Sequence, residues 1–307
     1  MKHISVLLNE SIEGLNIKES GIYVDCTLGY AGHSKEILKR ITRGCLFAFD
    51  QDETAIKESQ KTLKEIGNNF KIINTNFVNL KSALKENNIS GVDGVLFDLG
   101  VSSPQLDVDE RGFSYHNDAP LDMRMDKRNK ITAYDIVNNY TQEELTNIFF
   151  KYGEEEYSKN IAKKIIEKRQ EKPIKTTLEL ANIISDSVPA KRRRKSHPAK
   201  KVFQAIRIEV NNELEVFERT LKDAIELLNP GGRICVITFH SLEDRICKNI
   251  FKEYSNIDDR VKGLPHIPEE YKPKLKLITR KAIKPSKEEL DKNNRSRSAK
   301  LRIAEKI

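Results

Sequence analysis

Residues 22–34 of the chain read Ile22-Tyr-Val-Asp-Cys-Thr-Leu-Gly-Tyr-Ala-Gly-His-Ser34. The segment opens with a short apolar run, which is typical of a buried parallel strand. An acid ends this run, Gly29 and Gly32 follow, and the next residues show the apolar spacing of a helix. Strand, glycine turn and helix in this order bring bare backbone and a helix N-terminus against a bound nucleotide. The segment therefore predicts the nucleotide-binding edge of a parallel sheet.

Two carboxylates strengthen this interpretation, because the spacing Gly29-x-x-Gly32 alone is not the dinucleotide pattern G-x-G-x-x-G. Asp25 ends the first apolar run and Asp50 ends a second one. A carboxylate after the second strand accepts hydrogen bonds from both hydroxyls of an adenosine ribose. The alternative is that Asp50 merely caps the next helix. An acid after the first strand favours S-adenosylmethionine over NAD, because that ligand offers an ammonium group.

Strand and helix alternate four times over the first third of the chain. The apolar runs lie at residues 22–25, 46–50, 70–73 and 94–98. This alternation is the pattern of a parallel, doubly wound α/β sheet. Two further runs, at residues 275–279 and 299–303, are expected to close the sheet with an antiparallel pair, as in Rossmann-like methyltransferases.

The alternation stops after the fourth strand. Residues 107–199 hold helical stretches without intervening strands, one of them opened by the capping box Thr141-Gln-Glu-Glu144. The α/β pattern then resumes with a long helical region at residues 201–228. We therefore predict an α/β, Rossmann-like S-adenosylmethionine-dependent methyltransferase core, formed by residues 1–106 and 200–307, with an inserted all-helical domain at residues 107–199.

The composition of the chain indicates the cellular compartment in which we expect the protein. No apolar run approaches the ~20 residues of a membrane span, and the first ten residues hold too short an apolar stretch for a signal peptide. The four cysteines are scattered, with no C-x-x-C pair, so they suit a reducing compartment and form no pattern of metal ligands. We expect a cytoplasmic protein that needs neither a membrane nor a metal.

The stretch Asp98-Leu-Gly-Val-Ser-Ser-Pro-Gln-Leu-Asp107 follows the fourth strand. In an open α/β sheet the reacting group binds beyond the carboxyl ends of the central strands. Enzymes that methylate amines place hydrogen-bond acceptors there, because an exocyclic amine conjugated to a base is a poor nucleophile. Here Asp98, Ser102, Ser103 and Pro104 are the candidates, although the aromatic residue usual in such motifs is missing. An ordinary loop is the alternative.

His240 follows the strand after the predicted insertion, in Thr238-Phe-His-Ser-Leu-Glu-Asp244. Its position at a strand end makes it a candidate to face the methyl acceptor. A structural role for this histidine explains the position equally well, and the sequence leaves both open.

Basic residues cluster at two places. Residues 191–201 hold seven cations in eleven positions, and a second run lies between residues 280 and 302. Charge runs are often only solvated surface, but two of them beside a candidate nucleotide site favour a phosphate track. With 7% aromatic residues the chain has few stacking surfaces. We name Phe113, Tyr115 and Phe239 as candidates to hold a base.

Six ordered blocks together resemble one family. They are Val24-Asp-Cys-Thr-Leu-Gly-Tyr-Ala-Gly-His33, Asp98-Leu-Gly-Val-Ser-Ser-Pro-Gln-Leu-Asp107, Arg111-Gly-Phe-Ser114, Pro120-Leu-Asp-Met-Arg-Met-Asp126, Phe203-Gln-Ala-Ile-Arg-Ile-Glu-Val-Asn211 and Phe239-His-Ser-Leu-Glu-Asp-Arg245. The chain resembles the bacterial 16S ribosomal RNA cytosine-N4 methyltransferase H (MraW) family over nearly its whole length.

The resemblance implies that S-adenosylmethionine donates a methyl group to cytidine N4 in the decoding region of 16S ribosomal RNA, within the small ribosomal subunit. It also implies a set of cofactor contacts. These are Ala31, Gly32, His33, Asp50, Phe77, Asp98 and Gln105. Ala31 departs from the family, which commonly has glycine there. Two other functions stay open, namely a DNA amino-methyltransferase and a non-catalytic RNA-binding factor of ribosome assembly.

Overall fold

The computed structural model describes residues 5–101, 108–193, 197–257, 259–261, 263 and 265–307, with only the backbone at 259 and 270. The chain divides into two compact units. The first unit comprises Met1–Gly100 and Leu214–Ile307, and the second comprises Val101–Glu213. Among the described residues, no helix is long and apolar enough to cross a lipid bilayer.

Seven strands in the described part of the first unit form a single sheet. The strands are β1 (Ile22–Asp25), β2 (Cys45–Asp50), β3 (Phe70–Asn74), β4 (Val92–Asp98), β5 (Leu228–Thr238), β6 (Leu275–Leu277) and β7 (Lys300–Lys306). Their order is β3-β2-β1-β4-β5-β7-β6. Strands β1 to β5 are parallel, whereas β7 is antiparallel to both of its neighbours. The predicted Rossmann-like α/β fold and its antiparallel closing pair are confirmed.

Helices flank this sheet and make up most of the second unit. Their bounds are α1 (Leu8–Leu15), α2 (Gly32–Leu38), α3 (Glu53–Lys64), α4 (Leu80–Glu86), α5 (Ala133–Asn139), α6 (Gln142–Lys151), α7 (Ser158–Glu171), α8 (Thr177–Asp186), α9 (Ala190–Arg193), α10 (Ala199–Asn211), α11 (Glu213–Leu227), α12 (Ser241–Ser255) and α13 (Lys287–Lys292).

The central strands are apolar throughout because both faces of the sheet are covered. Successive side chains of a strand point to opposite faces. In β4, Val95 and Phe97 therefore pack into one core while Leu96 packs into the other. Strand β5 behaves in the same way, with Val236 in the first core and Cys235 in the second. This two-sided burial explains why these strands read as continuous apolar runs rather than alternating ones.

The second unit has an apolar core of its own, built by helices α5 to α8 and α10. Three of these helices begin with a capping box, at Thr132, Thr141 and Thr176, and the box predicted at Thr141 is among them. The compact unit runs over Val101–Glu213. The assignment of residues 107–199 as an inserted domain stays a prediction.

The helical region predicted at residues 201–228 consists of two helices, α10 and α11, which are separated at Asn212. Asn212 has φ 49°, in the left-handed region that ends a helix and that asparagine tolerates better than most residues. Because both helices are amphipathic, the apolar spacing continues across the break, and the spacing alone does not reveal it.

Candidate active site

Polar side chains follow four adjacent parallel strands of the first unit where each strand ends. Asp50 is the last residue of β2, Asp25 of β1 and Asp98 of β4, and His240 lies two residues beyond β5. The carboxyl ends of parallel strands share one edge of the sheet, and this edge is where α/β proteins bind their ligands. The fold therefore brings together at one edge residues that are far apart in sequence.

Asp25 anchors the glycine loop to the end of β1. Its side chain is buried, and its two oxygens accept hydrogen bonds from the Thr27 N–H (3.0 Å) and the Ser34 hydroxyl (2.7 Å). Burial nevertheless raises the pKa of this carboxyl, against the lowering effect of both donors. Thr27 and Ser34 belong to the site, although they were not identified from the sequence. Both are hydroxyl residues that follow a strand-ending acid, and this is the sequence feature that could have indicated their role.

The glycine loop turns on two left-handed residues, Gly29 (φ 50°) and Ala31 (φ 61°). The left-handed conformation costs alanine free energy that glycine, common at this position in the family, does not lose. The methyl group of Ala31 is fully buried. At Gly32 the constraint is steric, because a Cβ would overlap the Ser5 hydroxyl. The residue types at positions 29–32 are thus constrained by the backbone conformation and close packing of the loop.

Asp50 holds this loop from the neighbouring strand. Its carboxylate accepts hydrogen bonds from the Gly29 N–H (2.8 Å) and the Asp52 N–H (2.9 Å). The Ser59 hydroxyl donates to the Gly29 carbonyl (2.6 Å) and fixes the same turn. The alternative that Asp50 caps the next helix is wrong, since Asp52 is the N-cap of α3 and accepts from the Thr54 N–H.

The electrostatic state of Asp50 depends on its surroundings. Burial raises the pKa of Asp50 to about 6, although its backbone hydrogen bonds act in the opposite direction. Each oxygen of a carboxylate accepts more than one hydrogen bond. Asp50 therefore retains acceptor capacity for ribose hydroxyls while it holds the loop.

Phe77 lies just after β3, in a short 3-10 turn (Phe77–Asn79). Its ring meets Phe97 edge-on at 5.8 Å between centroids and is only partly buried. The turn is tied to the residue beside Asp50, because the Asn76 amide donates to the Gln51 side chain (3.0 Å). This arrangement places an aromatic ring close to the strand end that carries the predicted ribose acid.

Of the three strand-end carboxylates, Asp98 receives the least stabilisation from hydrogen bonds to its side chain. Its Oδ1 is buried and has no hydrogen-bond partner among the described residues, and its Oδ2 lies 3.5 Å from His33 Nδ1. Burial, and then the negative charges of Asp25 and Glu243, hold the pKa of Asp98 well above its usual range.

His33 is buried beside Asp98 and has a defined orientation. Its Nε2 lies 3.1 Å from the Val6 carbonyl oxygen. A carbonyl only accepts, so Nε2 carries the proton in this contact and Nδ1 faces Asp98.

His240 has the structural role that the sequence left open. It caps α12, where its Nδ1 faces the Glu243 N–H at 3.5 Å. In return, the buried Glu243 carboxylate accepts the Phe239 N–H (2.7 Å) and the His240 N–H (3.2 Å). His240 Nε2 is buried 3.0 Å from Glu243 Oε1, in a geometry that forms no hydrogen bond. A role toward the methyl acceptor stays a prediction for His240.

Sequence reasoning missed Glu243, although its position three residues after His240 is the spacing of a capping box. Four predicted site residues lie outside the described residues. These are Ser102, Ser103, Pro104 and Gln105. Their roles at the acceptor and at the cofactor therefore stay predictions, as do the individual roles of the site residues described above.

A model of the MraW methylase family matches residues 1–307, the entire chain. The chain belongs to the MraW methylase family. It is therefore a methyltransferase, and S-adenosylmethionine is its methyl donor, as the sequence predicted. The residues present fit this donor, because Asp50 retains acceptors for a ribose, Phe77 offers a ring for an adenine and Asp98 Oδ1 lacks a partner within the described chain.

The solved structures that resemble the chain include a proposed rRNA methylase from Clostridium thermocellum (13% identity, 100% of both chains covered, TM-score 0.47). An rRNA methylase from Streptococcus thermophilus is 11% identical, with 100% of this chain and 99% of that chain covered and a TM-score of 0.46. A proposed methyltransferase from Streptococcus mutans, in complex with SAH, is 12% identical, with 99% of both chains covered and a TM-score of 0.45. Likenesses at this level carry no inference about substrate.

The pKa of Asp50 predicts how cofactor binding depends on pH. Below pH 6 the carboxyl is protonated and loses acceptor capacity, so the affinity for S-adenosylhomocysteine should fall by up to about tenfold per pH unit. Titration calorimetry from pH 5 to pH 8 measures this. Asp50→Asn should bind more weakly and lose the step near pH 6, whereas the exposed Asp291→Asn should retain it. An unchanged step in Asp50→Asn contradicts the assignment.

Proposed function

We propose that this methyltransferase transfers the methyl group of S-adenosylmethionine to N4 of a cytidine in the decoding region of 16S ribosomal RNA, within the small ribosomal subunit and in the cytoplasm. The observation that carries the proposal is Asp98 Oδ1, a buried acceptor without a described partner at the end of a central strand. An amine N–H is the group that such an acceptor binds.

Methyl transfer to cytosine N4 requires a hydrogen-bond acceptor for the amine more than it requires a strong base. The lone pair of cytosine N4 is delocalised into the ring, and hydrogen bonds accepted from its N–H groups help to localise it. When bound, the donor supplies an electrophilic methyl group on a positively charged sulfur. That positive charge favours the ionised form of Asp98 and so opposes the burial that raises its pKa.

Asp98 then has two tasks in the proposed reaction. Before transfer, it orients N4 by accepting one of its N–H bonds, which is a positioning effect. After transfer, N4 carries one proton too many, and a carboxylate with a raised pKa is suited to receive it. Ser102, Ser103 and Pro104 are proposed to complete the acceptor pocket.

His240 is proposed to hold the cytosine ring. With Nδ1 as the helix-capping acceptor, we assign the ring proton to Nε2. Nε2 is buried, and its nearest carboxylate oxygen, Glu243 Oε1 at 3.0 Å, forms no hydrogen bond with it. A donor at Nε2 complements the N3 or O2 acceptor of cytosine, while Asp98 complements its N4 donor. This pairing distinguishes cytosine from uracil, which has an O4 acceptor in place of the N4 donor.

The charge of the chain supports an RNA substrate. The net charge is +8, and the two basic runs contribute exposed cations in both units. Phosphate contacts of this kind supply affinity that does not depend on sequence. Specificity for one cytidine then comes from the site and from the need for an unpaired or extruded base.

Replacement of Asp98 tests the proposal. Asp98→Ala should lower methyl transfer to small subunits from cells lacking this protein by about 100-fold or more, because the amine loses its acceptor. Transfer of labelled methyl is followed, and mass spectrometry identifies N4-methylcytidine as the product. S-adenosylhomocysteine affinity, measured separately, distinguishes an effect on the donor from one on the acceptor.

Asp291→Asn, a change at an exposed acid, is the matched control and should transfer at the wild-type rate. Wild-type transfer to DNA alone would contradict the RNA substrate. Methylation of cytidine at another atom would contradict the amine chemistry. Tight RNA binding without any turnover would make the chain an RNA-binding factor rather than an enzyme.

His240→Asn separates the two roles of His240. Asparagine is a good N-cap, so the free energy of unfolding should change by less than about 0.5 kcal/mol. Methyl transfer should fall by about tenfold or more through kcat, because the Nε2 donor is lost. Urea denaturation and steady-state kinetics provide the two measurements. Full activity in this variant would contradict a role of His240 in catalysis and leave only its role as the N-cap of α12.

A further inference from the structure

Three rings in the second unit form a column that leads from its core to its surface. Phe203 meets Tyr115 edge-on, with 5.5 Å between ring centroids and 79° between ring planes. Tyr115 in turn stacks on His197 at 4.6 Å and 21°. We call Phe203, Tyr115 and His197 the aromatic column. His116 lies against the side of the same tyrosine at 4.4 Å.

Exposure increases along the aromatic column. Phe203 is only 3% exposed and belongs to the core of the unit, Tyr115 is partly buried, and His197 is exposed. One face of the exposed His197 residue thus rests on Tyr115. The aromatic column therefore ends at the surface in the flat His197 ring, which packs through Tyr115 onto the core of the unit.

The orientation of the His197 ring is fixed by its own backbone. Nδ1 accepts a hydrogen bond from the Ala199 N–H (3.2 Å), at the start of α10. Burial, and then the nearby His116, lower the pKa of His197, so the ring is neutral at pH 7. A neutral, oriented ring suits stacking on an uncharged base better than pairing with a phosphate.

Cations lie on both sides of His197 in the chain. Lys191, Arg193 and Lys200 are exposed, and all three belong to the basic run at residues 191–201. Arg193 also lies 4.0 Å from the Asp186 carboxylate, an exposed ion pair that a phosphate can replace. Lys201 of the same run is engaged within the protein, where its amine donates to the Glu154 carbonyl. A flat ring among exposed cations is the arrangement by which proteins bind single-stranded RNA, with the base stacked and the backbone held by charge.

We propose that the aromatic column is a stacking site for one unpaired base of the RNA substrate, which lies on His197 while Lys191, Arg193 and Lys200 hold adjacent phosphates. This inference rests on the RNA substrate of the proposed function, and it adds a recognition site in the second unit for a base other than the one that is methylated. Phe113, also named from the sequence, is buried in the core of the unit and is unsuited to this role.

The test measures the affinity of the full chain for a single-stranded fragment of the 16S decoding region, by fluorescence anisotropy at several salt concentrations. His197→Ala should weaken binding about 5- to 50-fold, because one base loses its stacking partner. The slope of log affinity against log salt should not change, because no phosphate contact is lost. His197→Phe should bind as the wild type, since it retains a flat ring.

Two control variants separate stacking from charge and from general damage. Lys200→Ala should weaken binding and also reduce the salt slope by about one unit, as expected of a phosphate contact. His266→Ala, a change at an exposed histidine of the first unit, should leave affinity and slope unchanged. Urea denaturation of each variant verifies that the second unit stays folded.

Fragments with single abasic positions identify the stacked base. At one position, removal of the base should weaken binding to the wild type and have no further effect on His197→Ala, as expected of two partners in one interaction. Wild-type affinity in His197→Ala, or a reduced salt slope in that variant, would overturn the stacking site. Parallel methyl-transfer assays distinguish this from the failure of the proposed function, in which the wild type neither binds nor methylates RNA.

Discussion

Three carboxylates at the ends of neighbouring strands impose the main physical constraint on this protein. A buried carboxylate is unfavourable unless hydrogen bonds or charges compensate it. Asp25 and Asp50 receive that compensation from N–H and hydroxyl groups of the glycine loop and its surroundings. The same hydrogen bonds shape the loop, so the compensation of these two acids and the conformation of the glycine loop have one origin.

Asp98 differs from the other two acids. Its backbone N–H donates to Thr27 Oγ1 (2.7 Å), which ties β4 to the same loop, but its Oδ1 has no partner within the described chain. The backbone of Asp98 is thus fixed by the loop. In the proposed reaction, the methyl donor supplies a positive charge beside Asp98 and the acceptor amine donates to its Oδ1.

The sheet and the strand-end acids were predictable from sequence because both depend on local pattern. Strands buried on two faces read as apolar runs, and Asp25, Asp50 and Asp98 end such runs. The break at Asn212 was not predictable, since apolar spacing continues across it. The choice of Asp52 as the cap of α3 depends on backbone geometry at the start of the helix, which spacing alone does not determine. The pairing of Glu243 with His240, in contrast, follows the spacing of a capping box and was overlooked.

The aromatic column was beyond sequence reasoning for another reason. Tyr115 was named as a candidate to hold a base, but His197 and Phe203 are more than eighty positions away in the chain, and only the packing of the second unit brings them to it. A contact between distant residues leaves no local pattern.

We propose that the ligands set the ionisation state of Asp98, because its Oδ1 has no partner within the described chain. Carbon-13 NMR titration of its carboxyl resonance, assigned with Asp98→Asn, measures this state. We expect a pKa well above the usual aspartate range in the protein alone. We also expect a clear decrease of this pKa with S-adenosylmethionine and a smaller one with S-adenosylhomocysteine, which lacks the positive sulfur. An ordinary pKa that neither ligand changes would contradict this proposal.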